Sequence, residues 1–309
     1  MASVTVTSAY VGNPIDTLLE LIALGNQAVQ KGSIHVVPAV QKALFLPRLT
    51  AAADQLQARQ EDPSAPSDSF TYAERSLTPL DAMFYDLVNP RNFESAWRPF
   101  QPTGPLVDKV DNPQILDAIL RETVKSVGTQ LGKIIWQGDT GGATAISFFN
   151  GYEKIIEDDA GSVKVTPAGA ITAANVISVL EATEAAIPDT IWEDPAVVFH
   201  MSTQDLRLYK EAARALDFKG SNITDALDER FAGRVIRNYS GMSKNKIIVA
   251  KATTGTDSNL WAGVNMEGDE ENVKVERYRP ESERFIVKVL FKYAVQVAQT
   301  EESVIYLPA

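Results

Sequence analysis

The sequence predicts an α+β protein whose helices and strands occupy different stretches of the chain. Residues 112–136 repeat apolar side chains at helical spacing, and from Gly233 onward the pattern changes to alternating β. A further observation is less ordinary. Residues 63–105 hold many prolines and aromatics and few aliphatic residues.

From the N-terminus, residues 1–12 read as a short extended arm. Asn13-Pro14 is a helix-start signal, cap followed by first-turn proline. Leu18, Leu19, Ile22 and Val29 share a face of that helix, and Gly32 ends it. A short β-like IHVV follows from Ile34, then Pro38, then a second expected helix ending in the polar QLQARQED.

Seven of the 16 prolines lie between 63 and 105: Pro63, Pro66, Pro79, Pro90, Pro99, Pro102 and Pro105. Phe70, Tyr72, Phe84, Tyr85, Phe93, Trp97 and Phe100 lie among them. Proline forbids long helices and aromatics favour strands. The reading is strand 69–77, a turn near Thr78-Pro79, strand 81–88 and an irregular lead-out. A disordered linker would not carry so many aromatics, and aliphatic residues are too few for a separate core. An arm buried against something else, such as another subunit, remains.

Asn112 and Pro113 open the strongest helix. Leu116, Ile119, Leu120, Val124, Val127, Leu131, Ile134 and Ile135 form one stripe over a length of about 36 Å. Gly128 and Gly132 inside it each cost roughly 1 kcal/mol relative to alanine. They point to a bend or to close approach of another backbone. GDTGGATA (138–145) is a flexible loop, and 146–165 reads as short strands and turns. Thr172 is expected to cap a helix to about Ala186, which Pro188 stops. Ala196–Met201 is a buried strand. Ser202 with Asp205 forms an approximate capping box for a helix turning Leu206, Tyr209, Ala213 and Leu216 inward.

Strands are expected at 234–237, 246–251, 259–265, 273–279, 284–298 and 303–307. The 284–298 strand, about 50 Å long, places Phe285, Val287, Val289, Phe291, Tyr293, Val295 and Val297 on one face.

Composition narrows the function. With 309 residues the chain can bury a sizeable core. A net charge of −11 without a Lys/Arg cluster argues against sequence-specific DNA binding. There is no Cys, so disulfides, zinc-thiolate sites and Cys nucleophiles are excluded. No secretory signal or membrane-spanning helix is expected, and the sequons at Asn222 and Asn238 are chance matches.

Several motifs admit a chemical reading. Asp139-Thr140-Gly141 spells the aspartic-protease triplet, but that chemistry needs two carboxylates and one copy is present. The same glycines lack the Lys-Ser/Thr of a phosphate loop. His200, in an apolar strand, reads as a hydrogen-bonded core histidine, and His35 similarly. Glu267, Asp269, Glu270 and Glu271 read as a solvated turn, without EF-hand spacing. The aromatics at 70–100 sit beside Glu74, Asp81, Asp86 and Glu94, which disfavours a single-strand groove. No catalytic, cofactor or metal site is expected.

The order of elements, with LGKIIWQGDTGG (131–142), ITAANVISVLEATEAAI (171–187), VVFHMSTQDLRLYKEA (197–212) and YRPESERFIVKVLFKYAVQVAQTEESVIYL (278–307), resembles the Hong Kong 97 type major capsid proteins of tailed phages. The resemblance covers most of 60–309. It implies an N-terminal arm with helices (1–62) and an extended β loop (63–108). A spine helix with peripheral-lobe strands (109–165), an axial lobe (166–245) and C-terminal strands returning to the peripheral lobe (246–309) follow. It implies pentamers and hexamers of one chain forming an icosahedral head around double-stranded DNA, assembled in the host bacterial cytoplasm. Scaffolding, portal and decoration proteins are the further partners it brings. Phe70, Tyr72, Arg75, Phe84, Tyr85, Arg91, Trp97 and Arg98 are the expected inter-subunit residues. Some family members cross-link through a loop lysine. No lysine occurs between Lys42 and Lys109, so arginine ion pairs to the next subunit are expected instead. Too little sequence precedes residue 34 for a full-size cleaved scaffolding region. The alternatives are an encapsulin-like cellular nanocompartment and a hydrolase built on Asp139.

Overall fold

The structure is a computed structural model that describes residues 27–51, 59, 61, 70–89, 113–142, 148–166, 169–216, 229–265, 273–279 and 284–308. The expected N-terminal arm, the Asn13-Pro14 helix start, the Asn112 cap and the acidic run at 267–271 lie outside them.

The elements in chain order are α1 (Gln27–Gln30), β1 (His35–Val37), β2 (Leu44–Ala51), β3 (Phe70–Leu77), β4 (Leu80–Val88), α2 (Pro113–Gln137), α3 (Tyr152–Asp158) and β5 (Val163–Val165). Next come α4 (Val176–Ala185), α5 (Asp189–Trp192), β6 (Val197–Ser202), α6 (Thr203–Ala215), β7 (Arg230–Phe231), β8 (Arg234–Tyr239) and β9 (Ile247–Lys251). The chain closes with β10 (Leu260–Asn265), β11 (Val273–Arg277), β12 (Phe285–Val297) and β13 (Val304–Tyr306).

One mixed sheet is ordered β1-β10-β12-β11, with β4 along the other edge of β12. A second runs β5-β13-β9-β6-β8-β7. β2 and β3 form a separate two-stranded ribbon. The first sheet buries the alternate residues of β12, Val287, Val289, Tyr293, Val295 and Val297, beneath α2 and α3. The α2 stripe expected from the sequence supplies Val127, Leu131, Ile134 and Ile135 to this core. A second core lies on the other sheet, where α4 and α6 bury Val179, Leu180, Leu206 and Tyr209 over Phe199, Ile236 and Val249. β6 is central, parallel to β8 and antiparallel to β9, so all its residues are buried. The capping box holds: Ser202 Oγ accepts from Asp205 N at 3.1 Å.

Backbone crosses backbone at two glycine contacts. A Cβ on Gly241 would overlap the Gly132 carbonyl, so the expected close approach is met there, while Gly128 has open space beside it. At the end of α2, Gly151 N donates to Gly138 O at 2.8 Å, and a side chain on either glycine would strike the other strand of the crossing.

Three local readings are corrected, and two short elements are new. Residues 44–51, placed within the expected second helix, form β2. Pro47 blocks a helix interior, and Leu44–Ala51 pair residue for residue with Phe70–Leu77. Residues 152–158 form α3 instead of strands and turns. Tyr152 and Ile156, four apart, are buried together, a periodicity over two turns that is too short to read. Asn175, not Thr172, is the residue before α4. Thr172 starts a preceding turn whose carbonyl accepts from Val176 N at 3.0 Å. The short α5 and β7 were not expected at all.

Candidate assembly surface

The β2–β3 register sorts side chains onto two faces. Leu46 lies across from Arg75, and Leu44 across from Leu77. This face turns toward the body of the protein, and Leu46 and Leu77 are buried. Leu77 and Pro79 press on β10 where Gly263 leaves room. On the other face Phe45 pairs with Ser76, Pro47 with Glu74, Leu49 with Tyr72 and Ala51 with Phe70. That face is open. Phe45 is 55% exposed, Leu49 66%, Phe70 60% and Tyr72 63%. Four large apolar side chains thus share one side of a two-stranded ribbon, and no described element covers them.

Polar contacts hold the ribbon to the body. Arg48 Nη2 meets Glu301 Oε2 at 2.6 Å. Arg75 pairs with Asp159 and donates to Thr300 Oγ1 at 2.9 Å. Gln296 Nε2 donates to Ser76 O at 2.9 Å. Burial opposes charge on Asp159, yet hydrogen bonds from Arg75, the Gly161 amide and Thr300 outweigh it and hold the carboxyl below its usual range.

β4 behaves differently. It pairs antiparallel with β12 from Leu80 opposite Tyr293 to Val88 opposite Phe285. Phe84 and Val88 turn inward and pack on the first core. Met83 and Tyr85 turn outward, 63% and 51% exposed. Lys292 and its cross-strand partner Asp81 form an ion pair at 3.3 Å. Between β4 and α2 opens a cavity of about 180 Å³, walled by Phe84 and Phe291 on the sheet side and Val127, Leu131 and Ile134 on the helix. Met83 and Gln130, both exposed, complete its lining with Ala82 and Phe148.

Of the residues expected to touch a neighbour, Phe70, Tyr72 and Tyr85 are therefore exposed. Phe84 is engaged by its own core, because β4 joins the main sheet instead of standing free. Arg75 forms its ion pair inside its own chain, since the ribbon folds back onto Asp159. Arg91, Trp97 and Arg98 lie outside the described residues. The sequence reading missed Phe45 and Leu49. Their signal is the alternation in LFLPRLTA, which becomes legible once Pro47 excludes a helix.

The chemical motifs take structural places. Asp139 Oδ1 accepts from Gly141 N at 2.9 Å, and its charged neighbour is Lys154 at 3.9 Å, a cation and not the second carboxylate of a protease. His200 is fully buried, but neither ring nitrogen finds a hydrogen-bond partner, which corrects the expected hydrogen-bonded histidine. β6 turns its ring into the first core against the packed pair Trp136 and Tyr239, with centroids 5.5 and 5.7 Å away. Burial, then the nearby Arg237, lower its pKa to about 3. His35 Nδ1 lies 2.6 Å from Thr254 O and its ring packs edge-on to Trp261. Among the described residues no group of three His, Asp or Glu is placed to hold a metal. No described helix is long and apolar enough to cross a membrane.

No family model matches the chain, and no curated protein matches its sequence. Solved structures do. A chain of the satellite phage P4 procapsid superposes with a TM-score of 0.59 at 12% identity, covering 98% of this chain and 94% of that one. The capsid of Myoviridae phage XM1 gives 0.59 at 10% identity, covering 92% of each. A virus-like particle from Pyrococcus furiosus gives 0.51 at 11% identity, covering 94% of this chain and 96% of that one. At such identities it is the architecture that is shared, over nearly the whole length on both sides: the chain is an α+β protein with the fold of phage capsid subunits.

Proposed function

We propose that this chain is a structural, non-enzymatic subunit, the major capsid protein of a tailed phage of the Hong Kong 97 type. Many copies, grouped as pentamers and hexamers, close an icosahedral head around double-stranded DNA in the host bacterial cytoplasm. The observation that carries this is the open apolar face of the β2–β3 ribbon. Phe45, Leu49, Phe70 and Tyr72 form a strip of a kind that soluble monomers rarely leave bare. On a fold shared with shell-forming particles, another copy is the partner that covers it. The ribbon with β4 then corresponds to the extended loop, α2 to the spine helix, and the sheets around β12 and β6 to the peripheral and axial lobes. Phe70, Tyr72 and Tyr85, with Phe45 and Leu49, are the described inter-subunit residues; Arg91, Trp97 and Arg98 complete the set. Scaffolding, portal and decoration proteins are further partners of such a head.

Electron microscopy of the purified chain tests the reading. Closed shells, and their loss when Leu49 and Tyr72 are both changed to Ser, support it. A compact monomer at every concentration refutes it. The fold shared with the Pyrococcus furiosus virus-like particle supports a second reading, an encapsulin-like cellular compartment shell. Particle contents separate the two: DNA supports a phage head and an enclosed enzyme a compartment.

A further inference from the structure

We infer that the cavity between α6 and the β8–β9 loop binds a phosphate group, carried either by a small phosphate ester or by a nucleic-acid backbone. The cavity is separate from the open ribbon, and the inference does not depend on the shell reading. Its volume is about 460 Å³, and Arg207 and Lys244 are the two charged residues of its lining. Among the described residues no carboxylate lines it. Thr203, Gln204 and Ser243 add side chains that can donate hydrogen bonds.

Two unpaired cations are unusual in a chain with a net charge of −11. Lys154, Lys210, Lys246, Lys251 and Lys292 each meet a carboxylate. Arg207 and Lys244 have no hydrogen-bond or ion-pair partner among the described residues. Asp205, whose carboxyl feels Lys244, is buried outside the lining and committed to Ser202 Oγ at 2.8 Å and the Asn245 amide at 3.1 Å. The loop that presents Lys244 is fixed on both sides. Ser243 N donates to Glu153 Oε1 at 2.8 Å, Asn245 N donates to Asp205 Oδ2, and both carboxylates are buried. Gln137 Nε2 anchors the start of the loop by donating to Gly241 O at 2.7 Å. A wall held in this way gives up little freedom when a ligand arrives.

Phosphate is the chemistry that matches this wall. A phosphate monoester carries close to two negative charges at neutral pH and three free oxygens. An arginine takes two of those oxygens as a fork, and a lysine meets the charge as a point. Hydroxyl and amide donors serve the remaining oxygen. A carboxylate, with one charge, would leave one cation unmatched. The first turn of α6 only reinforces the cations. The cavity exceeds the phosphate group itself and leaves room for what carries it. Phosphate contacts hold no sequence information, so such a site is compatible with the lack of sequence-specific DNA binding.

Calorimetric titration of the purified chain with adenosine monophosphate and with a short DNA duplex, each repeated in the presence of inorganic phosphate, tests the site. Saturable binding that inorganic phosphate competes away is expected. Arg207→Gln and Lys244→Gln should each weaken it about tenfold or more. Arg214→Gln removes the same charge from the exposed far end of α6 and should leave the affinity unchanged. All three positions are exposed, and unchanged melting temperatures show that the variants fold. Tighter binding of the monophosphate assigns the cavity to a small ester, and tighter binding of the duplex to a nucleic-acid backbone. No saturable binding of either probe, binding that inorganic phosphate does not compete, or an equal loss in Arg214→Gln overturns the site and leaves the shell reading standing.

Discussion

β12 and the β2–β3 ribbon carry the same kind of pattern and meet opposite fates. In β12, Val287, Val289, Tyr293, Val295 and Val297 share one buried face and are covered by helices of the same chain. In the ribbon, Phe45, Leu49, Phe70 and Tyr72 alternate just as regularly, and nothing described covers them. Alternation therefore announces that a strand has an apolar face; it does not say which molecule will cover it. Coverage depends on what packs against the strand, and the ribbon lies on the body by its inner face with no described helix over its outer one.

If the two helix-covered cores are the interior proper, truncation in either is the most damaging change. Phe199→Ala, at the fully buried centre of β6, is expected to cost about 3–5 kcal/mol, read by denaturant unfolding. A loss below about 1 kcal/mol would mean that the second core tolerates a cavity and is less tightly packed than its burial indicates.

The next effect is pH-dependent and belongs to the opposite face of β6, in the first core. His200 has a folded pKa of about 3 against an ordinary 6.5, so the unfolded chain takes up a proton that the folded one refuses. Stability is complete above about pH 6.5 and declines on acidification down to about 3, at up to about 1.4 kcal/mol per pH unit. His200→Phe should flatten that slope in unfolding measured between pH 7 and 4. An unchanged slope would place the acid sensitivity elsewhere.

The tether between ribbon and body comes third. Arg75→Ala removes the partner of Asp159 and is expected to cost about 1 kcal/mol, modest because both side chains are partly exposed. Asp159 is held below its usual range with Arg75 present, so that contribution is present above the ordinary carboxylate pKa and fades as pH falls through the folded one. The variant should show a weaker fade, since the Gly161 amide and Thr300 still bind the carboxylate. Faster proteolysis within 44–77 would show the ribbon released.

The smallest effect on stability should come from the strip itself. Leu49→Ser with Tyr72→Ser is expected to change unfolding by no more than about 0.5 kcal/mol per site, because neither side chain is buried in its own chain. Sedimentation should nevertheless show a large fall in assembly. A marked destabilisation of the isolated chain would erase the contrast between ribbon and core.

Much of the architecture was readable because long periodic segments report their own type. The α2 stripe ran through several turns, and β12 alternated through thirteen residues. Short elements did not report themselves. α3 spans seven residues, too few to separate helical from strand spacing. β2 was misread because its pairing with β3 is a long-range fact, and Phe45 and Leu49 went unnoticed with it. Arg75 looked free for a neighbour because Asp159 lies 84 positions away in sequence.

By itself the sequence determined the α+β class, the Ser202 cap, the buried strands and the absence of thiol chemistry, all consequences of residue type and local spacing. Only the tertiary structure decided which apolar faces stay bare, which arginine is already paired, and that His200 is enclosed without a partner. Those outcomes depend on what arrives from distant parts of the chain, and local periodicity contains no record of that arrival.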